Sequence, residues 1–475
     1  MTTVQSIAKN SLFLLSGQII SLVFGFIYFV YMARYLGVKD LGILSFALSF
    51  TLILGLIGDL GLSALTTREV SRNKSLAPKY LGNIFLIKVF LAIITFGVSV
   101  VVINALGYSE QTIKVVYIIT VSTILTNFIQ IFTSIFQAFE RLEYLSISIV
   151  LTSVLMFIGI FFAIEQNFDL IYFAFIYLIV NAIVLGYNFF VCLMKFAVPN
   201  LKIDWIFWKQ TIRESIPFWL NSVFVLIYFK IDMVMLSMMN GDTAVGWYAA
   251  SYRLIDALGL IPAVLMSTMY PVFSKLHISS KDFLEFAFKK SFKLLAIIAI
   301  PIGIGTTLLA EKIIVLIYGV QYIPSVIALQ ILIWASVLSF INYTPATYLN
   351  STNKQRTLMI FTCLGAILNI ILNFILIPLF SYNGAAIATV FTELFVGILM
   401  VYSIHKVQNL SFLFSDVILK SLIAGTFMSI FILIFKDYTL ILLIAFSAIL
   451  YFIALYIVKG FGQEDINLFN QVLKR

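Results

Sequence analysis

The sequence predicts an all-α polytopic membrane protein. It is expected to have about 14 transmembrane helices, arranged as two six-helix lobes related by an internal repeat plus two additional C-terminal helices. Three observations predict this. The chain of 475 residues is 62% hydrophobic and 11% charged, with a mean hydropathy of +1.08, where a soluble domain carries about 25% charged residues. Its apolar residues fall into runs long enough to cross a bilayer. One motif of glycines and flanking residues occurs twice, in the same spacing. The first two features exclude a soluble enzyme, a nucleic-acid-binding protein and a disordered scaffold.

Taken in order, the spans are expected near 11–33, 41–66, 83–106, 115–139, 145–164, 170–194 and 216–240. They continue near 247–273, 291–311, 324–350, 357–380, 384–404, 416–435 and 439–458. The first follows a polar start and is too long for the apolar region of a cleaved leader, so it is expected to be retained. With the N-terminus inside, inner segments collect about 21 Lys and Arg and outer ones about 5. This bias places both termini in the cytoplasm. It also absorbs most of the net charge of +9, so no nucleic-acid partner is called for. The loops are short, leaving no room for a catalytic domain. The largest, about 195–215, carries Trp205, Phe207, Trp208 and Ile212 among Lys202, Lys209 and Arg213, a pattern for a helix lying at the membrane interface.

The repeat is clearest at Ser11 to Gly37-Val38-Lys39-Asp40-Leu41-Gly42 and Ser215 to Gly241-Asp242-Thr243-Ala244-Val245-Gly246. Corresponding positions lie 204 residues apart, as in Gly42 and Gly246. A weaker echo joins Phe136-Gln137-Ala138 to Tyr348-Leu349-Asn350. Because six spans separate the copies, both enter the membrane in the same sense. The expected organisation is therefore a lobe over 1–200, a second over 201–410, and two further helices with a cytoplasmic tail over 411–475.

Ionisable residues inside spans carry the functional information, since each costs about 2.5–3.5 kcal/mol at mid-membrane. They are Asp59, Lys88, Lys230, Asp232, Arg253, Asp256 and Glu393. Lys88 and Lys420 lie close enough to a span end to snorkel to the headgroups. Lys230 lies mid-span, and Asp232, two residues on, leaves the helix in another direction. Arg253 and Asp256 share a face, either as an intrahelical ion pair or as a polar stripe toward a hydrated cavity. Asn127, Gln130 and Gln137 add polarity to the fourth span. Fixed cations flanked by carboxylates suit an anionic headgroup. Cys192 and Cys363 lie in apolar runs, while His277 and His405 stand alone in loops. No disulfide, metal centre or cofactor is expected.

Several stretches then carry a resemblance. They include Ala33-Arg34-Tyr35-Leu36-Gly37, Gly58-Asp59-Leu60-Gly61-Leu62 with Arg68-Glu69, and Lys230-Ile231-Asp232-Met233. Further on come Gly246-Trp247-Tyr248 through Arg253-Leu254-Ile255-Asp256, Tyr270-Pro271, Asn350-Ser351-Thr352-Asn353 and Gly384-Ala385-Ala386. In order and spacing these resemble polysaccharide and oligosaccharide flippases of the multidrug/oligosaccharidyl-lipid/polysaccharide exporter superfamily. The resemblance implies a non-enzymatic flippase of the cytoplasmic membrane, working by alternating access. Its substrate would be an oligosaccharide on a polyprenyl phosphate or pyrophosphate, moved from the inner to the outer leaflet. It implies that Lys230, Arg253 and Lys88 face the headgroup in a central cavity. Asp59, Glu393, Asp232, Asp256 and Arg34 would be gating or coupling residues, with H⁺ or Na⁺ as coupling ion. Two rival readings are a drug or cation antiporter of the same superfamily and a membrane polymerase or ligase. The extra helix pair and the central cations argue against the first, and the short outer loops against the second.

Overall fold

The computed structural model describes residues 3–405 and 411–460, with side-chain surroundings for 13–404 and 417–460. The tail expected at 461–475 lies outside the described residues. The described chain forms fourteen α-helices and two single 3-10 turns. In order the helices are α1 (Thr3–Asp59), α2 (Leu62–Arg72), α3 (Ala77–Ala105), α4 (Glu110–Ala138), α5 (Leu142–Glu165), α6 (Leu170–Lys195) and α7 (Trp205–Asn240). They continue as α8 (Asp242–Leu258), α9 (Leu260–Ser279), α10 (Lys281–Tyr318), α11 (Ser325–Ser351), α12 (Gln355–His405), α13 (Ser411–Ile434) and α14 (Leu440–Ile457).

Twelve of these stretches, with α8 and α9 counted as one, are long and apolar enough to cross a membrane. Two of them contain a sharp turn, α1 at Gly37 and α12 at Ser381. Counting each half as a crossing gives the fourteen spans expected from hydropathy. Backbone hydrogen bonding explains the economy of the fold, because only a helix satisfies every N–H and C=O within one crossing segment. Side-chain oxygens mark the helix starts. Ser109 accepts from the Thr112 N–H, Asp169 from the Ile171 N–H, and Asp204 from the Phe207 N–H.

Three boundaries differ from the expectation. The second span does not run unbroken to residue 66. Its helix stops at Asp59, passes through Leu60 (φ 46°) and Gly61 (φ 75°), and restarts as α2. The eighth is interrupted at Gly259. The amphipathic connector is not a separate helix: from Trp205 onward it is the first part of α7, which continues through Pro217 to Asn240.

The chain divides into two compact units, one up to Ala249 and one from Ala250. In the first, Leu81 and Ile84 of α3 pack with Ile135 and Phe136 of α4 in a core that also takes in Cys192 of α6. In the second, the additional pair α13–α14 packs on α10. Ala424, Met428, Tyr451 and Leu455 join Ala296, Ile297 and Leu309, and the Tyr451 hydroxyl donates to the Ile297 carbonyl at 3.0 Å.

Candidate functional site

The two copies of the repeated motif meet inside the first unit. Gly37 (φ 76°, ψ 177°) and Gly241 (φ 81°, ψ 175°) adopt nearly the same positive-φ conformation, each turning the chain into the next helix. Five residues on, Gly42 and Gly246 lie on each other's backbones. A Cβ on Gly42 would fall 1.8 Å from the Asp242 carbonyl oxygen, and one on Gly246 would fall 1.9 Å from that of Val38. Val38 and Asp242 are themselves equivalent in the repeat, so the contact is reciprocal. Beside it, the Tyr108 hydroxyl donates to Ser237 Oγ at 3.0 Å, Ser237 donates to Asp242 Oδ1 at 3.0 Å, and the Tyr108 ring stacks on Phe46.

The second feature is a buried ion pair. Lys88 of α3 is 1% exposed, and its ammonium reaches Asp59 Oδ1 at 2.6 Å, the Asn127 carbonyl at 2.7 Å and Ser63 Oγ at 3.0 Å. The expectation that Lys88 snorkels to the headgroups is therefore overturned. A carboxylate from α1 meets it inside the bundle, and that attraction outweighs the reach to water. All three ammonium protons thus have oxygen partners within the protein. Asn127 also donates to the Gly55 carbonyl at 2.9 Å, tying α4 to α1.

The remaining ionisable residues are placed separately. Asp232 is buried, accepts from the Met233 N–H at 2.9 Å and is hydrogen-bonded by the Tyr248 hydroxyl. Lys230 is half-buried on the same helix, and Arg34 is exposed on α1. In the second unit Arg253 is half-buried and Asp256 exposed. Glu393 is buried, and Asn342 donates to both its carboxylate (3.0 Å) and its main-chain carbonyl (2.9 Å). A parallel tie exists in the first unit, where Asn181 of α6 donates to Ser122 Oγ of α4 at 2.7 Å. Of the amides on the fourth span, Asn127 is buried, while Gln130 and Gln137 are exposed.

Sequence reasoning missed three groups. In α12, Asn373 donates to Asn369 Oδ1 at 2.8 Å and both are buried, with Asn369 reaching Thr392 at 3.4 Å. An Asn pair four residues apart was the available signal. Secondly, α7 wedges against the α1/α2 break. The Trp219 indole donates to the Leu56 carbonyl at 3.0 Å, a Cβ on Gly61 would fall 2.6 Å from the Ser215 carbonyl, and Arg68 pairs with Glu214 at 3.0 Å. Thirdly, the strap between α6 and α7 docks on the start of α3. The Asn200 N–H donates to the Pro78 carbonyl (2.8 Å), the Trp208 indole donates to Asn83 Oδ1 (2.8 Å), and Lys79 pairs with Asp204 (2.8 Å). Lys79's hydrogen bond, seconded by the Phe207 N–H, holds the Asp204 carboxyl below its ordinary value.

Residues 7–277 match the polysaccharide biosynthesis protein family, which is more than half of the chain. The chain belongs to that family. Residues 217–375 also match the MatE family. Two curated relatives come from Haloferax volcanii. The "Probable flippase AglR" is 28% identical over 201 residues, 40% of this chain and 41% of the relative. The "Probable low-salt glycan biosynthesis flippase Agl15" is 22% identical over 198 residues, 42% of each. The chain spans less than half the length of the curated relatives it matches. Among solved structures, the lipid II flippase MurJ in an inward closed conformation matches with a TM-score of 0.78 at 17% identity, covering 93% of this chain and 98% of MurJ. At that identity the likeness establishes the fold. The protein is a multi-pass membrane protein of the polysaccharide biosynthesis family, with a helical fold of the MurJ type.

Proposed function

We propose that this protein is a flippase for an oligosaccharide carried on a polyprenyl phosphate or pyrophosphate, moving it from the inner to the outer leaflet of the cytoplasmic membrane. It acts as a transporter rather than an enzyme, with both termini in the cytoplasm. The observation that carries the reading is the polysaccharide biosynthesis family match over residues 7–277, on a helical fold of the MurJ type. The relative described as a probable low-salt glycan biosynthesis flippase supports the same substrate class.

In this reading the two six-span lobes, 1–200 and 201–410, alternate access to a central cavity. Lys230 and Arg253 bind the phosphate groups of the headgroup, where a guanidinium offers paired donors to phosphate oxygens. Buried Asp232 and Glu393 are the carboxylates suited to gating or to coupling with H⁺ or Na⁺, and Arg34 and Asp256 to gating. Asp59 and Lys88 neutralise each other and hold the bundle. The match of 217–375 to the MatE family supports a second reading, a drug or cation antiporter.

The test is reconstitution into proteoliposomes with a fluorescent polyprenyl-pyrophosphate-linked sugar. The flippase reading expects protein-dependent loss of leaflet asymmetry. Export of an organic cation without any glycolipid movement would favour the antiporter instead.

A further inference from the structure

The surroundings of Lys88 are those of a bound cation. Its ammonium carries three protons and has three oxygens at 2.6, 2.7 and 3.0 Å, from a carboxylate, a main-chain carbonyl and a hydroxyl. Carboxylate, carbonyl and hydroxyl oxygens are also the donors that hard cations take. The position suits a cation for a second reason. Helix α1 ends at Asp59, where the chain passes through positive φ at Leu60 and Gly61, so the negative end of the helix dipole lies at the site. In membrane proteins, interrupted helices with free carbonyl ends are where cations are commonly held.

The oxygens are fixed by bonds that do not involve the lysine. Ser63 donates to Asp59 across the break, and Asn127 is tied to Gly55 on the same helix as Asp59. Lys88 comes from α3, a fourth helix, and only its terminal nitrogen enters the group. Its side chain is 1% exposed, whereas that of Asp59 is 18% exposed, which leaves an approach to the carboxylate.

We propose that Lys88 is a tethered cation: its ammonium permanently fills an oxygen-lined site for a monovalent cation at the α1/α2 break. It keeps the break closed and keeps free cations out. A covalently attached cation does not exchange, so this place takes no part in ion coupling. Removing the side chain beyond Cβ leaves a vacant site whose oxygen distances suit an ammonium or a potassium ion.

The test uses the full chain, purified in nanodiscs, and reads thermal unfolding in choline, potassium and methylammonium chloride at matched ionic strength. Wild type is expected to unfold at one temperature in all three salts. Lys88→Ala is expected to unfold lower in choline. Its Tm should rise with methylammonium or potassium concentration, recovering at least half of the loss at saturation, as ligand linkage requires. The double variant Lys88→Ala/Asp59→Asn is expected to lose that response. If Lys88→Ala does not accumulate, Lys88→Ser leaves the same space with a hydroxyl and is read in the same way. Indifference of the variant to potassium and methylammonium relative to choline overturns the proposal. So does failure of both variants to accumulate when methylammonium is supplied during expression. The readout is stability, so its outcome is separate from whether the protein moves a glycolipid.

Discussion

Gly42 and Gly246 hold the same place in two copies of one motif, and each lies against the other copy's main chain. The Cα of Gly42 faces the Asp242 carbonyl and that of Gly246 faces the Val38 carbonyl, with no room for a Cβ at either. The relationship is a local two-fold built into the fold by the repeat. It lets two helices approach main chain to main chain, with the Val38 side chain packed beside Gly246.

Substitution at either glycine is expected to act on this one contact. Gly42→Ala and Gly246→Ala should each lower the Tm, at a cost of about 1–3 kcal/mol from overpacking. The double variant should cost less than the sum, because the contact is already parted. Gly97 is the control. It lies inside α3, and a Cβ there would meet nothing within 4 Å, so Gly97→Ala should be neutral or slightly stabilising. Thermal unfolding of the four variants in one detergent checks this, and additive losses would place the two glycines in separate contacts.

The Asp59–Lys88 pair should behave as a unit. Breaking a buried pair by removing one partner costs about 3–5 kcal/mol, while replacing both with apolar groups of similar volume costs far less. Asp59→Leu and Lys88→Met are each expected to reduce folded protein sharply, and the double variant to recover much of it. Size-exclusion profiles of the solubilised proteins after a heat challenge report the difference.

Much of this molecule is legible in its sequence, and the residues show where legibility ends. The spans can be read because an apolar run of that length has few other uses. The reciprocal contact at Gly42 and Gly246 lies on the very residues that reveal the repeat. The partner of Lys88 is a different matter. Asp59 is 29 residues away, and only the tertiary packing of α3 on α1 brings them together. The break at Leu60–Gly61 is hidden for another reason: hydropathy runs on to residue 66, and a leucine at positive φ leaves no mark in composition. In α7, Pro217 suggests a boundary that the helix passes through. Trp205, Trp208 and the basic residues show an interfacial character, without showing that Asn83 and Lys79 hold the strap.

The strap offers a pH test. Asp204's folded pKa is depressed by Lys79, so its contribution is fully present above the ordinary aspartate value of about 3.9 and is lost as pH falls through the folded value. Acidification below that ordinary value should therefore loosen residues 198–208 from α3. A variant keeping Trp208 as its sole tryptophan should show a red-shifted emission in that acid range. Asp204→Asn should show the shift already at neutral pH, and an identical acid profile for both proteins would remove Asp204 from the contact.

In the proposed function, the cations at positions 230 and 253 bind the phosphate of a lipid-linked oligosaccharide. The direct measurement is the initial rate of glycolipid flipping in proteoliposomes for Lys230→Ala, Arg253→Ala and Arg253→Lys at matched amounts of folded protein. Each alanine variant is expected to lose at least tenfold, about 1.4 kcal/mol. Arg253→Lys should recover only part of the rate, because an ammonium cannot reproduce paired guanidinium donors. Wild-type flipping rates in both alanine variants would contradict the account.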